Sequence, residues 1–228
     1  MTNFDSDTDS YEDAVNKSIA FSRQGVGYFA RRKAAHLLDV CRRHLGNPEV
    51  VSIVDVGCGV GLTDEYLVPH VSALHGVDLS VKALEQASAR NPAAHYQPCL
   101  ADALPFESAT FDLAFCSCVL HHVDDDRRHE FVSELRRVVR PGGLVLIFEH
   151  NPMNPLTRLA VNRCDLDDGV VLLERRAACE LLERTGLRPV ERRYIMFFPR
   201  GGARINAAER ALRSVPLGAQ YYVAALRG

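Results

Sequence analysis

Between Val50 and Glu149 the apolar residues come in two textures that take turns along the chain. Short runs rich in Val, Ile, Leu and Phe read as strands buried on both faces, and the stretches between them space their apolar positions as amphipathic helices do. Such alternation predicts parallel strands joined by crossover helices. The strand runs are Val50 to Val56, Val71 to Val77, Ala94 to Cys99, Phe111 to Ser117 and Leu144 to Glu149. Helices are predicted at Leu62 to Val68, from an N-capping Ser80 through Ala89, and at Asp124 to Val139, the last stopped by Pro141-Gly142-Gly143.

Helical spacing also marks Tyr11 to Ser22 and Tyr28 to His44 upstream, where Phe29, Ala34, Leu37, Val40 and Cys41 share a face. Downstream, His150 to Gly169 breaks the alternation with a proline- and asparagine-rich insertion, a placement that tends to be functional. A helix at Val170 to Thr185, strands at Arg188 to Phe197 and Gln220 to Leu226, and a helical segment at Asn206 to Arg213 complete the pattern. The expected organisation is a disordered acidic start over residues 1–10 and one domain over 11–228. Within it, 11–46 form a helical cap, 50–149 a cofactor-binding core and 150–169 a substrate cap.

With 228 residues, 47% hydrophobic and 25% charged, the chain has the balance of a single globular domain able to bury a core without staples. A formal net charge of -2 supplies no positive field for a polyphosphate, so a general nucleic-acid binder is disfavoured. The acidic start is the opposite of a secretory signal, no stretch has the length of a membrane span, and a cytoplasmic location is expected. Seven cysteines at irregular spacing fit reduced thiols. Cys116 and Cys118 lie in a buried strand end with no second ligand pair of zinc-finger spacing, so no metal site is predicted.

The chemistry concentrates at Asp55-Val56-Gly57-Cys58-Gly59-Val60-Gly61, which follows a strand directly. Glycines there let the chain turn sharply and bring backbone N–H groups against a ligand. The spacing is G-x-G-x-G, not the G-x-G-x-x-G of dinucleotide enzymes, and an acidic residue precedes the first glycine by two positions. That carboxylate repels a pyrophosphate and suits a ligand with an ammonium end, which favours S-adenosylmethionine. Asp78 ends the second strand where an acid accepts the hydroxyls of a ribose. Asp102-Ala103 follows the third strand beside the expected adenine, with Leu79 and Leu104 as apolar walls. Cys58 is read as a small filler whose backbone meets the ligand.

The segments VDVGCGVG, GVDLS, ADALPF, FDLAFCSCVLHHV and LRRVVRPGGLVLIFEH, in that order and spacing, resemble the class I S-adenosylmethionine-dependent methyltransferases. The resemblance covers Val50 to Glu149. It implies a Rossmann-like α/β fold: a seven-stranded, mostly parallel sheet with helices on both faces and an antiparallel last strand. By position it implies that Asp55, Gly57, Gly59 and Gly61 surround the methionine part, that Asp78 holds the ribose, that Asp102 and Ala103 meet the adenine, and that Ser117 lies under the sulfonium.

Methyl transfer to a small molecule is the expected function, since the chain has no basic stripe and the insertion after the fifth strand suits a roof over a modest pocket. His121 and His150, at the ends of strands four and five, are the candidate proton acceptors. Tyr28, His122, Asn151, Met153 and Arg158 are candidate acceptor contacts. Two alternatives stand beside this reading: a methyltransferase acting on a protein or RNA, and a protein that binds S-adenosylmethionine without turnover. The Asn-Pro-Pro-Tyr motif that grips planar nitrogens is replaced by Ser117-Cys118-Val119-Leu120, which disfavours nucleic-acid bases.

Overall fold

The computed structural model describes residues 11–99, 103–199 and 203–228. Residues 1–10, with the expected disordered start, lie outside them. One sheet contains β1 (Ser52–Val56), β2 (Ala73–Asp78), β3 (His95–Pro98), β4 (Phe111–Ser117), β5 (Val139–His150), β6 (Leu187–Ile195) and β7 (Gln220–Arg227). Their order across it is β3-β2-β1-β4-β5-β7-β6. β1 to β5 pair in parallel, and β7 runs antiparallel between β5 and β6. The direction of strand addition reverses between β1 and β4, so the carboxyl ends of these two strands open a crevice at the switch point.

The helices are α1 (Tyr11–Ser18), α2 (Val26–His44), α3 (Val81–Arg90), α4 (Arg128–Val138), α5 (Pro155–Val161), α6 (Arg175–Arg184) and α7 (Ala203–Leu212). Successive strand residues face opposite sides of the sheet, which divides the core in two. Val54, Ala114, Cys116, Val145, Ile147 and Val223 pack with Phe131, Leu135 and Val138 of α4 and Ala178 and Leu182 of α6. Ile53, Leu113, Phe115, Leu146, Phe148 and Tyr222 pack on the other face with Ala34, Leu37, Leu38 and Cys41 of α2.

Several elements differ from the sequence expectation. The helix expected at Val170 to Thr185 begins only at Arg175, and Tyr11 to Ser22 divides into α1 and the 3-10 turn Ala20–Ser22. Leu62 to Val68 holds the 3-10 turn Asp64–Tyr66 and the start of another, Val68–His70, instead of a helix. Pro141-Gly142-Gly143 lies inside β5: α4 ends at Val138, and the strand begins at once, with its register against β4 shifting between Phe111 and Leu113.

Candidate functional site

A cavity of about 1300 Å³ opens at the carboxyl edge of the sheet and runs beneath α1, α2 and α5. At one end the chain leaving β1 turns through Gly57 and Gly59, both at positive φ (+79° and +52°). The Gly57 and Cys58 N–H groups donate to the Val77 carbonyl (2.8 and 3.1 Å), which pins the turn to β2. Asp78 braces it from the end of β2: Oδ2 accepts from the Gly59 N–H at 2.8 Å and Oδ1 from the Ser80 N–H at 2.9 Å. A β-carbon on Gly59 would meet no atom within 4 Å, so its α-carbon faces open cavity.

Beneath the turn lies an acid pair. Asp55 is 3% exposed and Asp64 is fully buried. Burial, then the neighbouring Asp64 charge, pushes the Asp55 carboxyl well above the usual range; burial lifts Asp64 to about 6 against the hydrogen bond from Tyr96. Tyr96 donates to Asp64 Oδ2 at 2.8 Å, while Asp55 Oδ1 is buried without a hydrogen-bond partner. Burial and mutual repulsion disfavour two full charges on the pair, and a cation beside it would favour the ionised form. Lys33 reaches the same region from α2, its Nζ donating to Ser117 Oγ at 2.5 Å.

The other end is lined by imidazoles and carboxylates, Asp167 among them. The 3-10 turn Leu120–His122 after β4 carries His121, whose Nδ1–H donates to Glu149 Oε2 at 2.6 Å. Glu149, fully buried on β5, also accepts the Leu120 N–H through Oε1 at 2.8 Å. Asp167 Oδ1, on the turn Asp165–Asp167 of the insertion, stands 3.5 Å from His121 Nε2 and 3.4 Å from His122 Nε2. His150 stacks obliquely on His121, with ring centroids 5.2 Å apart. Burial opposes charge on His121, but Glu149 and Asp167 outweigh it and hold that imidazole up at about 10. Burial, then the His121 charge, pushes His150 down to about 4. The cluster therefore offers one charged and one neutral ring side by side at neutral pH.

Of the residues singled out in the sequence, Asp55, Gly57, Cys58, Gly59, Asp78, Leu79, Ser117, His121, His122 and His150 line this cavity. Asp102 lies outside the described residues. The others do not reach the cavity. Gly61 serves packing, since a β-carbon there would meet Asn91 Nδ2 at 2.6 Å and Ala87 at 3.0 Å. Ala103 is exposed and Leu104 is buried in the core. Tyr28 turns outward to donate to the Phe198 carbonyl at 3.2 Å, and its neighbour Phe29 lines the cavity instead. Asn151 is consumed structurally, its Nδ2 donating to the Pro216 and Gly218 carbonyls (3.1 and 2.7 Å). Met153 is 54% exposed and Arg158 is exposed. The inward face of the roof is Asn154, Thr157, Ala160, Val161 and Cys164, a helical spacing that leaves Arg158 on the other side.

Sequence reasoning missed Lys33, Asp64 and Asp167. Lys33 carried a faint signal as one of three lysines in the chain, and Asp167 as part of the acidic Asp165 to Asp168.

Residues 54–147 match the family described as a methyltransferase domain. The malonyl-[acyl-carrier protein] O-methyltransferase of Salmonella typhimurium is 36% identical over 135 residues, 58% of this chain and 53% of that protein. The chloroplastic tocopherol O-methyltransferase of Arabidopsis thaliana is 37% identical over 106 residues, 43% of this chain and 30% of that one. The chain spans about half the length of the first curated relatives it matches. An S-adenosylmethionine-dependent methyltransferase of Mesorhizobium loti has a similar structure, with a TM-score of 0.62 at 25% identity over 83% of this chain and 96% of that one. In the glycine turn after β1, the strand order and these matches, the chain is similar over residues 54–147 to the class I S-adenosylmethionine-dependent methyltransferases.

Proposed function

We propose that this chain transfers the methyl group of S-adenosylmethionine to an oxygen or nitrogen of a small molecule. The observation that carries the reading is the single cavity, which joins the glycine turn to the imidazole cluster and has room for two ligands at once. The cofactor fits the first end on its chemistry: Asp55 Oδ1 has no hydrogen-bond partner among the described residues, and the raised pKa values of the acid pair favour a cationic neighbour, which an α-ammonium supplies. The open face of Gly59 receives the amino-acid part, Asp78 holds the ribose, and Leu79 and Cys99 flank the adenine.

When bound, the cofactor supplies a methyl group on a positively charged sulfur, already activated for in-line displacement. Ser117, fixed by Lys33, sets the floor between the two ends. His121, charged and oriented by Glu149, holds the acceptor's nucleophilic atom, and the neutral His150 takes its proton, while α5 excludes water from above. Both relatives named above are O-methyltransferases, which supports oxygen as the acceptor atom. The free thiols suit a reducing compartment, and we place the protein in the cytoplasm; among the described residues no helix is long and apolar enough to cross a membrane.

The test is incubation of the protein with methyl-labelled cofactor and a metabolite extract. Label is expected in the small-molecule fraction. Label confined to precipitated protein or RNA makes the acceptor a macromolecule, and cofactor binding with no transfer makes the chain a binding protein. On the true acceptor, His150→Ala should lower the transfer rate by roughly two to four orders of magnitude with cofactor affinity kept.

A further inference from the structure

We propose that His121, His150 and Asp167 bind one divalent transition-metal ion at the acceptor end of the cavity. One donor atom from each of these side chains lies within 4.8 Å of the others. They arrive from three elements distant in sequence: the turn after β4, the end of β5 and the Asp165–Asp167 turn of the roof.

Two further observations point to an ion. His121 is 3% exposed, and its Nε2 is buried with no hydrogen-bond partner. A native fold seldom leaves such an atom unmet unless a ligand completes it. Its nearest carboxylate oxygen, Asp167 Oδ1, stands at 3.5 Å, long for a hydrogen bond. Donors about 2.1 Å from a tetrahedral ion stand about 3.4 Å from one another, so this spacing is that of a coordination edge. Secondly, Glu149 takes the Nδ1–H of His121 at 2.6 Å, which leaves Nε2 as the nitrogen facing the cluster, where a bound ion takes the place of its proton. A carboxylate behind a histidine is how metal-ligating imidazoles are oriented.

Two imidazoles and one carboxylate suit zinc, iron, cobalt or manganese better than magnesium or calcium, which prefer all-oxygen sets. Three protein ligands leave further positions toward the cavity, as catalytic metal sites do. The role of the ion, though not its binding, rests on the methyl-transfer reading. With both imidazoles held by the ion, an acceptor hydroxyl coordinated there gives up its proton to water instead of to a histidine, and does so more readily. The oxygen lone pair then forms the bond to the methyl carbon as the carbon–sulfur bond breaks, its electron pair passing to sulfur.

The experiment uses the full chain after chelator treatment, titrated with Co²⁺ and followed by visible absorption, and with Zn²⁺ followed by calorimetry. One equivalent of each is expected, the Co²⁺ showing the intense bands of a low-coordinate site. His150→Ala and Asp167→Asn should each weaken binding at least tenfold. Glu149→Gln should weaken it by ten- to a hundredfold. All are compared at unchanged circular dichroism and S-adenosylmethionine affinity, and Asp167→Asn, on the half-buried roof turn, guards against loss of folding in the buried variants. Failure of the wild-type chain to take up either ion, or equal affinity in His150→Ala and Asp167→Asn, overturns the proposal. Ion binding without methyl transfer leaves this site standing and overturns the methyltransferase reading instead.

Discussion

Gly59 and Asp78, proposed to meet the cofactor, are joined through one small piece of backbone. The Gly59 α-carbon faces open cavity at φ +52°, so a side chain there occupies ligand space and adds left-handed strain of about 1–2 kcal/mol. Gly59→Val should abolish S-adenosylmethionine binding in calorimetry while circular dichroism stays native, and unchanged affinity would put the ligand elsewhere. Asp78→Ala should weaken the same binding by about 1–3 kcal/mol, because the carboxylate proposed to hold the ribose is also the one the Gly59 and Ser80 amides donate to. These positions were legible in the sequence because the turn is local: a strand, glycines and an acid within a few residues. Lys33 and Asp167 were not, because each meets the site only after α2 and the insertion have folded over it.

Among the elements, α5 does most to shape the acceptor pocket. Asn154 caps it, Oδ1 accepting from the Leu156 and Thr157 N–H groups (2.9 and 3.1 Å) while Nδ2 donates to the Leu217 carbonyl at 2.6 Å. Thr157 adds a second tie, its hydroxyl donating to the Ala219 carbonyl at 2.8 Å. Asn154→Ala should cost about 1 kcal/mol of stability and, by loosening the roof, raise the acceptor KM more than it lowers kcat. Steady-state kinetics beside thermal melts checks this, and a kcat loss with unchanged KM counts against the roof role. The cap was readable from Asn154-Pro155. Which face of the helix turned inward was not: Arg158 lies on the outer face, and Met153 precedes the cap and is exposed. Helix phase follows from where the cap is anchored, and that anchor lies in the 216–219 loop.

Across the whole molecule, the α2 face of the sheet carries a titration that links packing to pH. His36 Nε2 is buried without a partner, and the ring sits against Tyr222 of β7 at 5.7 Å between centroids. Burial, then the charges of Arg32 and Arg43 on α2 and Arg193 on β6, outweighs Glu191 of β6 and pushes His36 from 6.5 down to about 4. Its folded pKa lies below the unfolded one, so the unfolded chain binds more protons between the two. The stability held by neutral His36 is therefore complete above pH 6.5 and lost as the pH falls toward 4. Thermal melts of the wild type and His36→Gln across that range should show the wild-type advantage shrinking with acidification; a constant difference would refute the linkage.

By itself the sequence determined the strand and helix alternation, the glycine turn and the acid at the end of β2, because hydrophobic period and turn chemistry act over a few residues. It also placed His121 and His150 at the ends of two neighbouring strands that open on one cavity, since parallel strands put their carboxyl ends on one edge. Tertiary structure alone decided the rest. Burial beside Glu149 and Asp167 set His121 and His150 at opposite ends of the imidazole range. The fold of residues 150–169 brought Asp167 to His121, and packing drew Gly61 and Asn151 away from the cavity into structural duties. The physical reason is common to all of these: desolvation and charge coupling depend on what surrounds a group in three dimensions, and those neighbours come from segments far apart along the chain.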